Sequence, residues 1–350
     1  MKNTFSRKFM VCALAGVLGF ALSACDDSSS AGGDETETSA LSSAEGQEDV
    51  SSSSEKSSSS SSVKDTEPAE VSSSSTKENK KSSDSESSSS VKSGDSSSNS
   101  SAGKVNCSAL LEGEMGWSWD VPKECRFNPD IDYGSMTDER DGKVYRTMEI
   151  RPVGIGPIHH QVWMAENLNY ADSVKTPSLL ERSWCYNDEP ANCDVGGRLY
   201  TWAAAIDSVK LATDADNPQV CGYGKTCTLS GKVQGICPNG WHLPTYDEWM
   251  TLFKFSCGVT NASKELRSQT GWYDNGNGWD TDGFSALPAG SRDDNGDFNG
   301  AGEAALFWNA TQAKEYYSYG AKLFYRHDGA GSGYIDKSYA LSIRCLMDSE

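Results

Sequence analysis

Between Asp26 and Gly103 the chain has no aromatic residue and is dominated by runs of serine, with 16 acidic side chains against 6 basic. A segment of that composition cannot bury enough apolar surface to offset the entropy of ordering its backbone. Any core is therefore confined to Lys104–Glu350, which holds 31 of the 34 aromatic residues and nine of the eleven cysteines. Roughly 250 residues suffice for one well-buried core. The serine-rich stretch reads as a disordered, solvated linker over 26–103. It spans on the order of 250 Å at full extension and roughly 50 Å as a flexible coil. A glycosylated stalk and a partner-binding segment are the sharper alternatives.

Ahead of the linker, Lys2, Arg7 and Lys8 precede an apolar run from Phe9 to Leu22, which ends in Leu22-Ser23-Ala24-Cys25. This is the pattern of a secretory signal, too short to span a bilayer comfortably. Its L-S-A-C ending resembles a bacterial lipobox. That resemblance implies a lipid on Cys25, a membrane partner through that lipid, and a bacterial cell-envelope location, most simply the outer membrane with surface exposure. The alternative is an ordinary signal peptide with a chance cysteine. Net charge is −19 overall. Without the +3 signal it is −22, of which −10 belongs to the linker. Nucleic acid is excluded as a natural partner, because binding phosphate needs a basic face.

An exported chain with nine remaining cysteines is expected to form disulfides. Nearest neighbours suggest Cys107 with Cys125, Cys185 with Cys193, and Cys221 with Cys227, each closing a loop of polar or turn-forming residues. Cys237 then reaches Cys345, leaving Cys257 unpaired, although spacing alone admits other pairings. Structural zinc is a poor alternative, since short C-x₂-C hooks and neighbouring histidines are missing.

The folded part is organised around Gly235–Trp249, read G-I-C-P-N-G-W-H-L-P-T-Y-D-E-W. Pro238-Asn239-Gly240 is a turn signal. Thr245 and Glu248 have the T-x-x-E spacing of a capping box, which starts a helix burying Trp249, Leu252 and Phe253 on one face. Before this corner, residues 104–132 read as a small cysteine-stapled entry segment. Asp141-Gly142 signals a hairpin leading into a strand over 143–150, with Gln161–Met164 able to pair with it. The glycine- and proline-rich stretch Arg151–His160 reads as a loop. Short helices are predicted over Thr201–Val209 and over Asn261–Ser268, the latter capped by Asn261. Short strands follow at 284–289, 303–311, 317–325 and 339–345. Short helices among many short strands and long loops describe an α+β domain over 133–350.

Several ordered segments resemble one family, the Fibrobacter succinogenes major paralogous domain. They are Tyr133-Gly-Ser-Met-Thr-Asp, Val162-Trp-Met-Ala-Glu-Asn-Leu-Asn-Tyr170, Gly197-Arg-Leu-Tyr-Thr-Trp-Ala-Ala-Ala205, the 235–249 corner, Gly283-Phe-Ser-Ala-Leu-Pro-Ala-Gly290 and Ser342-Ile-Arg-Cys345. The resemblance spans about residues 133–348 and implies an exported, often lipid-anchored protein, with no established activity to carry over. More distantly, W-H-L-P-T-Y-D-E-W and S-I-R-C resemble segments of the formylglycine-generating enzyme clan, implying a C-type-lectin-like or sulfatase-modifying-like fold. The paired copper-binding cysteines of those oxidases have no counterpart here, because only Cys345 follows Cys257.

Chemistry-bearing residues are sparse. His242 reads as a buried hydrogen-bonding residue rather than a base, and His159-His160 as a polar loop rather than a metal site. No nucleophile elbow, H-E-x-x-H motif or P-loop occurs. In Arg292–Gly300, Asp293, Asn295, Asp297 and Asn299 recur at alternate positions, a spacing that can wrap calcium, with Asp274, Asp280 and Asp282 as further oxygen donors. The competing reading is two turns rich in Asp, Asn and Gly. Trp272, Tyr273 and Trp279 either stack on sugar rings or anchor their loop. Three functions follow as expectations: a non-catalytic binding or adhesion domain, for instance for polysaccharide; an exported enzyme acting on a glycan or envelope substrate; and a structural envelope protein that binds other proteins.

Overall fold

The computed structural model describes residues 105–150 and 160–349. The expected signal peptide with Cys25, the linker over 26–103, and His159 with most of its loop lie outside the described residues. Among the described residues there are thirteen strands and a handful of short helices, an α+β arrangement.

The strands run β1 (Gly134–Thr137), β2 (Val144–Ile150), β3 (Gln161–Met164), β4 (Ser183–Trp184), β5 (Leu199–Thr201), β6 (Trp241–His242), β7 (Ala289–Arg292), β8 (Phe298–Ala301), β9 (Ala304–Gln312), β10 (Tyr317–Phe324), β11 (Gly331–Asp336), β12 (Ala340–Leu341) and β13 (Leu346–Met347). One antiparallel sheet has the order β1-β2-β3-β13-β6. The other has the order β11-β10-β9-β7-β12-β5-β4, with β8 paired to β7. The Asp141-Gly142 hairpin joins β1 to β2, with Gly142 at φ 74°, which glycine adopts without a Cβ clash. β2 pairs with β3 from Thr147↔Met164 to Ile150↔Gln161. The last strand closes the first sheet by pairing with both β3 and β6, so the two ends of the folded part meet in one sheet.

The corner forms as its sequence dictates. The N–H of Trp241 bonds to the carbonyl of Pro238 at 3.0 Å, closing the turn. Thr245 caps the helix Tyr246–Phe255, with both arms of the capping box present. Trp249, Leu252 and Phe253 are buried, and the Trp249 ring lies 4.7 Å from Trp163 and 5.3 Å, stacked, from Phe307. These rings join the helix to a strand of each sheet. His242 is buried, with Nδ1 2.6 Å from Asp348 and Nε2 3.0 Å from Glu248. Burial raises the pKa of Glu248, but hydrogen bonds from His242 and Thr245 outweigh it and hold the carboxyl below its usual range.

Four described bridges join Cys107–Cys125, Cys185–Cys193, Cys221–Cys227 and Cys237–Cys345. Cys257 is also disulfide-bonded, which corrects the expectation that it stays unpaired. Other corrections are local. The predicted helix over 201–209 is two, Trp202–Ala205 and Ser208–Ala212. It breaks because the Ala205 carbonyl accepts from Ile236 N–H at 3.0 Å, and Asp207 turns to φ 55°. Asn261 makes no side-chain cap to Ala262–Leu266; its amide donates instead to the Cys257 carbonyl. The strand expected at 284–289 begins only at Ala289, because Phe284 and Ser285 hand their carbonyls to the buried Arg344. β8 and β11 were not anticipated.

The entry segment is fixed to the core by a buried polar chain. Asn128 donates its side-chain amide to the Asp280 carbonyl at 2.9 Å, and its backbone N–H bonds to the Tyr133 hydroxyl. Tyr133 pairs with the Ser285 hydroxyl, while the Asp280 carboxylate faces Ser285 N–H and hydroxyl at 2.6 Å each. Asp280 is fully buried.

Two predictions follow from these ties. Removing the Cys237–Cys345 bridge, which spans 108 residues, by a double serine substitution is expected to cost about 5 kcal/mol. Loss of the Cys185–Cys193 bridge costs about 2.5 kcal/mol on the same chain-entropy basis. Denaturant unfolding of the two variants checks the order. Burial raises the pKa of Asp280 from 3.8 to about 7, against the hydrogen bonds from Ser285 and the charge of Arg344. The folded state therefore keeps a proton that the unfolded chain has lost. Stability from this group is full below pH 3.8 and falls as pH rises through 7. Asp280→Asn copies the protonated acid, offering an oxygen to Ser285 N–H and an amide to its hydroxyl. The wild type should lose up to about 4 kcal/mol relative to that variant between pH 4 and 8. Parallel pH profiles in urea unfolding would refute it.

Candidate binding groove

Tyrosines dominate one open groove. β10 and β11 pair Tyr317 with Asp336 and Tyr319 with Tyr334. Alternation along a strand puts Tyr317 and Tyr319 on one face. The groove beside them has a volume of about 410 Å³ and is lined by Tyr317, Tyr334, Tyr339, Asp294, Asp336 and Lys322, with Ser291, Leu306 and Ile335 between them. Tyr317 is 42% exposed and Tyr334 51%, whereas core rings such as Trp163, Trp249 and Phe307 are fully buried. Tyr223 and Tyr316, also exposed, meet edge to face at 5.0 Å. Tyr246, Tyr319 and Tyr334 form a continuous run, with ring centroids 4.9 and 5.1 Å apart.

Carboxylates stand among these hydroxyls. Desolvation, then Asp294, Asp293 and Asp336, raises the pKa of Tyr339. Desolvation, then Asp336, Tyr316 and Asp294, does the same for Tyr223. The hydroxyls of Tyr339 and Tyr223 therefore stay protonated and able to donate at neutral pH. The groove offers ring faces, phenolic donors and carboxylate acceptors together.

A buried cation holds one wall of this region. Lys337 is 1% exposed and its Nζ donates toward the carbonyls of Gly222, Lys225 and Glu315 and toward Gln312 Oε1, at 2.9 to 3.2 Å. It also lies 4.6 Å over the Trp202 ring, whose Nε1 donates to the Asn309 carbonyl. Burial pulls the Lys337 pKa down to about 8, with Glu315 opposing. The Cys221–Cys227 bridge closes the same loop, so Tyr223 and Tyr316 are carried on irregular chain pinned from both sides.

The residues singled out from sequence fare differently. Trp272 is 1% exposed, its Nε1 bonded to Ser268 at 3.0 Å, so it anchors its loop in the core and corrects the sugar-stacking expectation. Tyr273 and Trp279 are exposed, but Tyr273 packs over Gly116 and Gly302, where a Cβ would meet its ring. The Asp293 carboxylate is spent within its own turn, accepting from Asn295 and Asp297 N–H through Oδ1 and from the Asn299 amide through Oδ2. Asp274 pairs with Arg326, and Asp280 is buried. Asp293, Asn295, Asp297 and Asn299 are thus turn chemistry between β7 and β8. Among the described residues no group of three or more His, Cys, Asp or Glu is placed to hold a metal ion. His160 pairs with Glu149.

Sequence reading missed the groove, although a signal existed. Tyr317-Ser-Tyr319 in a strand puts aromatic rings on a face that a core strand would fill with Val, Ile or Leu. Lys337 has no such signal. Lys337→Met, which takes a donor from four oxygens and leaves the Lys225 and Glu315 carbonyls with none, should cost about 2–4 kcal/mol in urea unfolding and speed amide exchange in the 221–227 loop. Unchanged exchange there would disconnect Lys337 from the loop.

No curated protein and no solved structure matches the chain. The family model described as the Fibrobacter succinogenes major domain matches residues 157–347, more than half of the chain. The chain belongs to that family.

Proposed function

We propose that this chain is an exported, lipid-anchored envelope protein whose folded domain is a non-catalytic binding module for polysaccharide. The tyrosine groove carries that reading. Tyr317, Tyr334 and Tyr339 stand with Asp294 and Asp336 in one open channel. Sugar rings present apolar C–H faces and a rim of hydroxyls. Exposed aromatic rings bury the former, while carboxylates and phenols exchange hydrogen bonds with the latter. Export and anchoring rest on the charged, apolar and L-S-A-C succession ending at Cys25. The acidic serine-rich linker then holds the domain away from the membrane, where a polymer has access. A C-type-lectin-like or sulfatase-modifying-like arrangement is the finer fold reading. It is supported by the W-H-L-P-T-Y-D-E-W helix start and the S-I-R-C segment between β12 and β13.

Binding of the full chain to an array of plant and bacterial polysaccharides tests this, with calcium and with chelator. Retention is expected in both conditions, because Asp293 is committed to its own turn. Tyr317→Ala and Tyr334→Ala should each weaken retention about tenfold, the effect of losing one aromatic contact worth about 1.4 kcal/mol. Trp279→Ala should not. No retention on any glycan would sink the reading and bring protein partners forward.

A further inference from the structure

A second cavity lies where the entry segment meets the family domain, away from the tyrosines. Its volume is about 510 Å³, within the range of small-molecule sites. Trp119 supplies the aromatic wall, while the buried Phe127 and Tyr145 reach the cavity only at their edges. Trp119 leans on Gly196, where a Cβ would meet the indole, and packs 5.0 Å from Tyr186, so this wall is rigid.

The charges around the cavity are not equivalent. Its cations are spent inside the protein: Lys123 on Glu166, and Lys143 on Asp141 and the Asn169 carbonyl. Arg146 also faces Glu166, at 3.6 Å, and its guanidinium lies 4.1 Å over the Phe127 ring. The buried Glu166 carboxylate further accepts the Arg146 N–H, so it has little capacity left for a ligand. Asp120, Glu124 and Asp194 are exposed at the same cavity and join no ion pair among the described residues. An entering molecule therefore meets aromatic surface with unneutralised negative charge.

We infer that this cavity binds a primary alkylammonium group on an apolar stem, the chemistry of a free alkylamine or of a lysine side chain. The stem lies against the aromatic wall and the ammonium among Asp120, Glu124 and Asp194, a combination of apolar and charge-assisted contacts. An anion gains nothing, because the lysines are already neutralised. Trp119, Asp120 and Glu124 precede the family-matched region 157–347, so the selectivity belongs to the entry segment of this chain. The Cys107–Cys125 bridge holds that segment, and Arg126 clamps it by donating to the Ser118 carbonyl at 3.0 Å. The inference does not depend on the polysaccharide reading.

Calorimetric titration of the full chain with n-pentylamine, with n-pentanol as the uncharged counterpart, tests it. The amine should bind saturably and at least tenfold more tightly than the alcohol, and weaken as salt is raised. The triple variant Asp120→Asn, Glu124→Gln, Asp194→Asn changes only exposed positions. It should keep its unfolding midpoint while losing at least tenfold in amine affinity. A short peptide with one internal lysine separates the sources: binding as tight as the amine assigns a protein partner's lysine, and weaker binding assigns a free amine. Equal affinity for amine and alcohol, an unaffected triple variant, or no saturable amine binding would each overturn the assignment.

Discussion

Arg344 is the interaction on which the domain's closure depends. Its guanidinium is fully buried, donating to Asn167 Oδ1 at 2.6 Å and to the carbonyls of Met164, Phe284 and Ser285 at 2.6 to 3.2 Å. Burial pulls its pKa down to about 9, with Glu166 and Asp280 pushing back. No carboxylate among the described residues touches it directly; it is solvated by a side-chain amide oxygen and backbone carbonyls from two separate segments, 164–167 and 284–285. A lysine has neither the planar fork nor the number of donors to reach them all. The rings of Phe284 and Phe307 lie 4.8 and 5.6 Å from its centre, so the charge is sealed by the same aromatic group that carries Trp249.

Lys337 repeats this solution at the groove. Much of the chain from 215 to 235 and from 267 to 288 is irregular, and irregular chain leaves carbonyls without strand or helix partners. A buried cation satisfies several such carbonyls at once and fixes their relative positions. Arg344 does this for the loop before β7 and Lys337 for the loop bearing Tyr223. Exposed rings on loops of this kind are pre-positioned, which lowers the ordering entropy that binding would otherwise cost.

What the sequence made legible was local or covalent. The capping box at Thr245 and Glu248 is read from spacing alone, and the Asp141-Gly142 hairpin from turn chemistry. The four described bridges join near neighbours, apart from Cys237 with Cys345, whose position beside β13 explains its reach. Tertiary context decided the rest. Asp207 breaks a sequence that reads as one helix because Ile236, thirty residues on, claims the Ala205 carbonyl. Trp272 looks like a loop-borne platform, yet lies in the core among Trp249 and Phe284 because Ser268 gives its indole N–H a partner. β11, with three glycines nearby and one apolar residue in Gly331–Asp336, has little strand character of its own and exists by pairing with β10.

The carboxylates divide into those engaged inside the fold and those left to solvent. Asp138 is buried and accepts from Arg140 Nε and backbone N–H through Oδ1 and from its second amine through Oδ2. Glu166 is held by Lys123 and Arg146, Glu248 by His242 and Thr245, and Asp280 by Ser285. A catalytic acid or base needs a buried carboxyl with one oxygen free to exchange a proton with substrate. In these four the oxygens are already committed to structure. The carboxylates facing the two cavities, Asp294 at the groove and Asp120, Glu124 and Asp194 at the seam, are instead solvated ones, suited to accepting hydrogen bonds or attracting cations. An acidic chain arranged this way spends its inner charge on holding loops and leaves its remaining carboxylates to solvent.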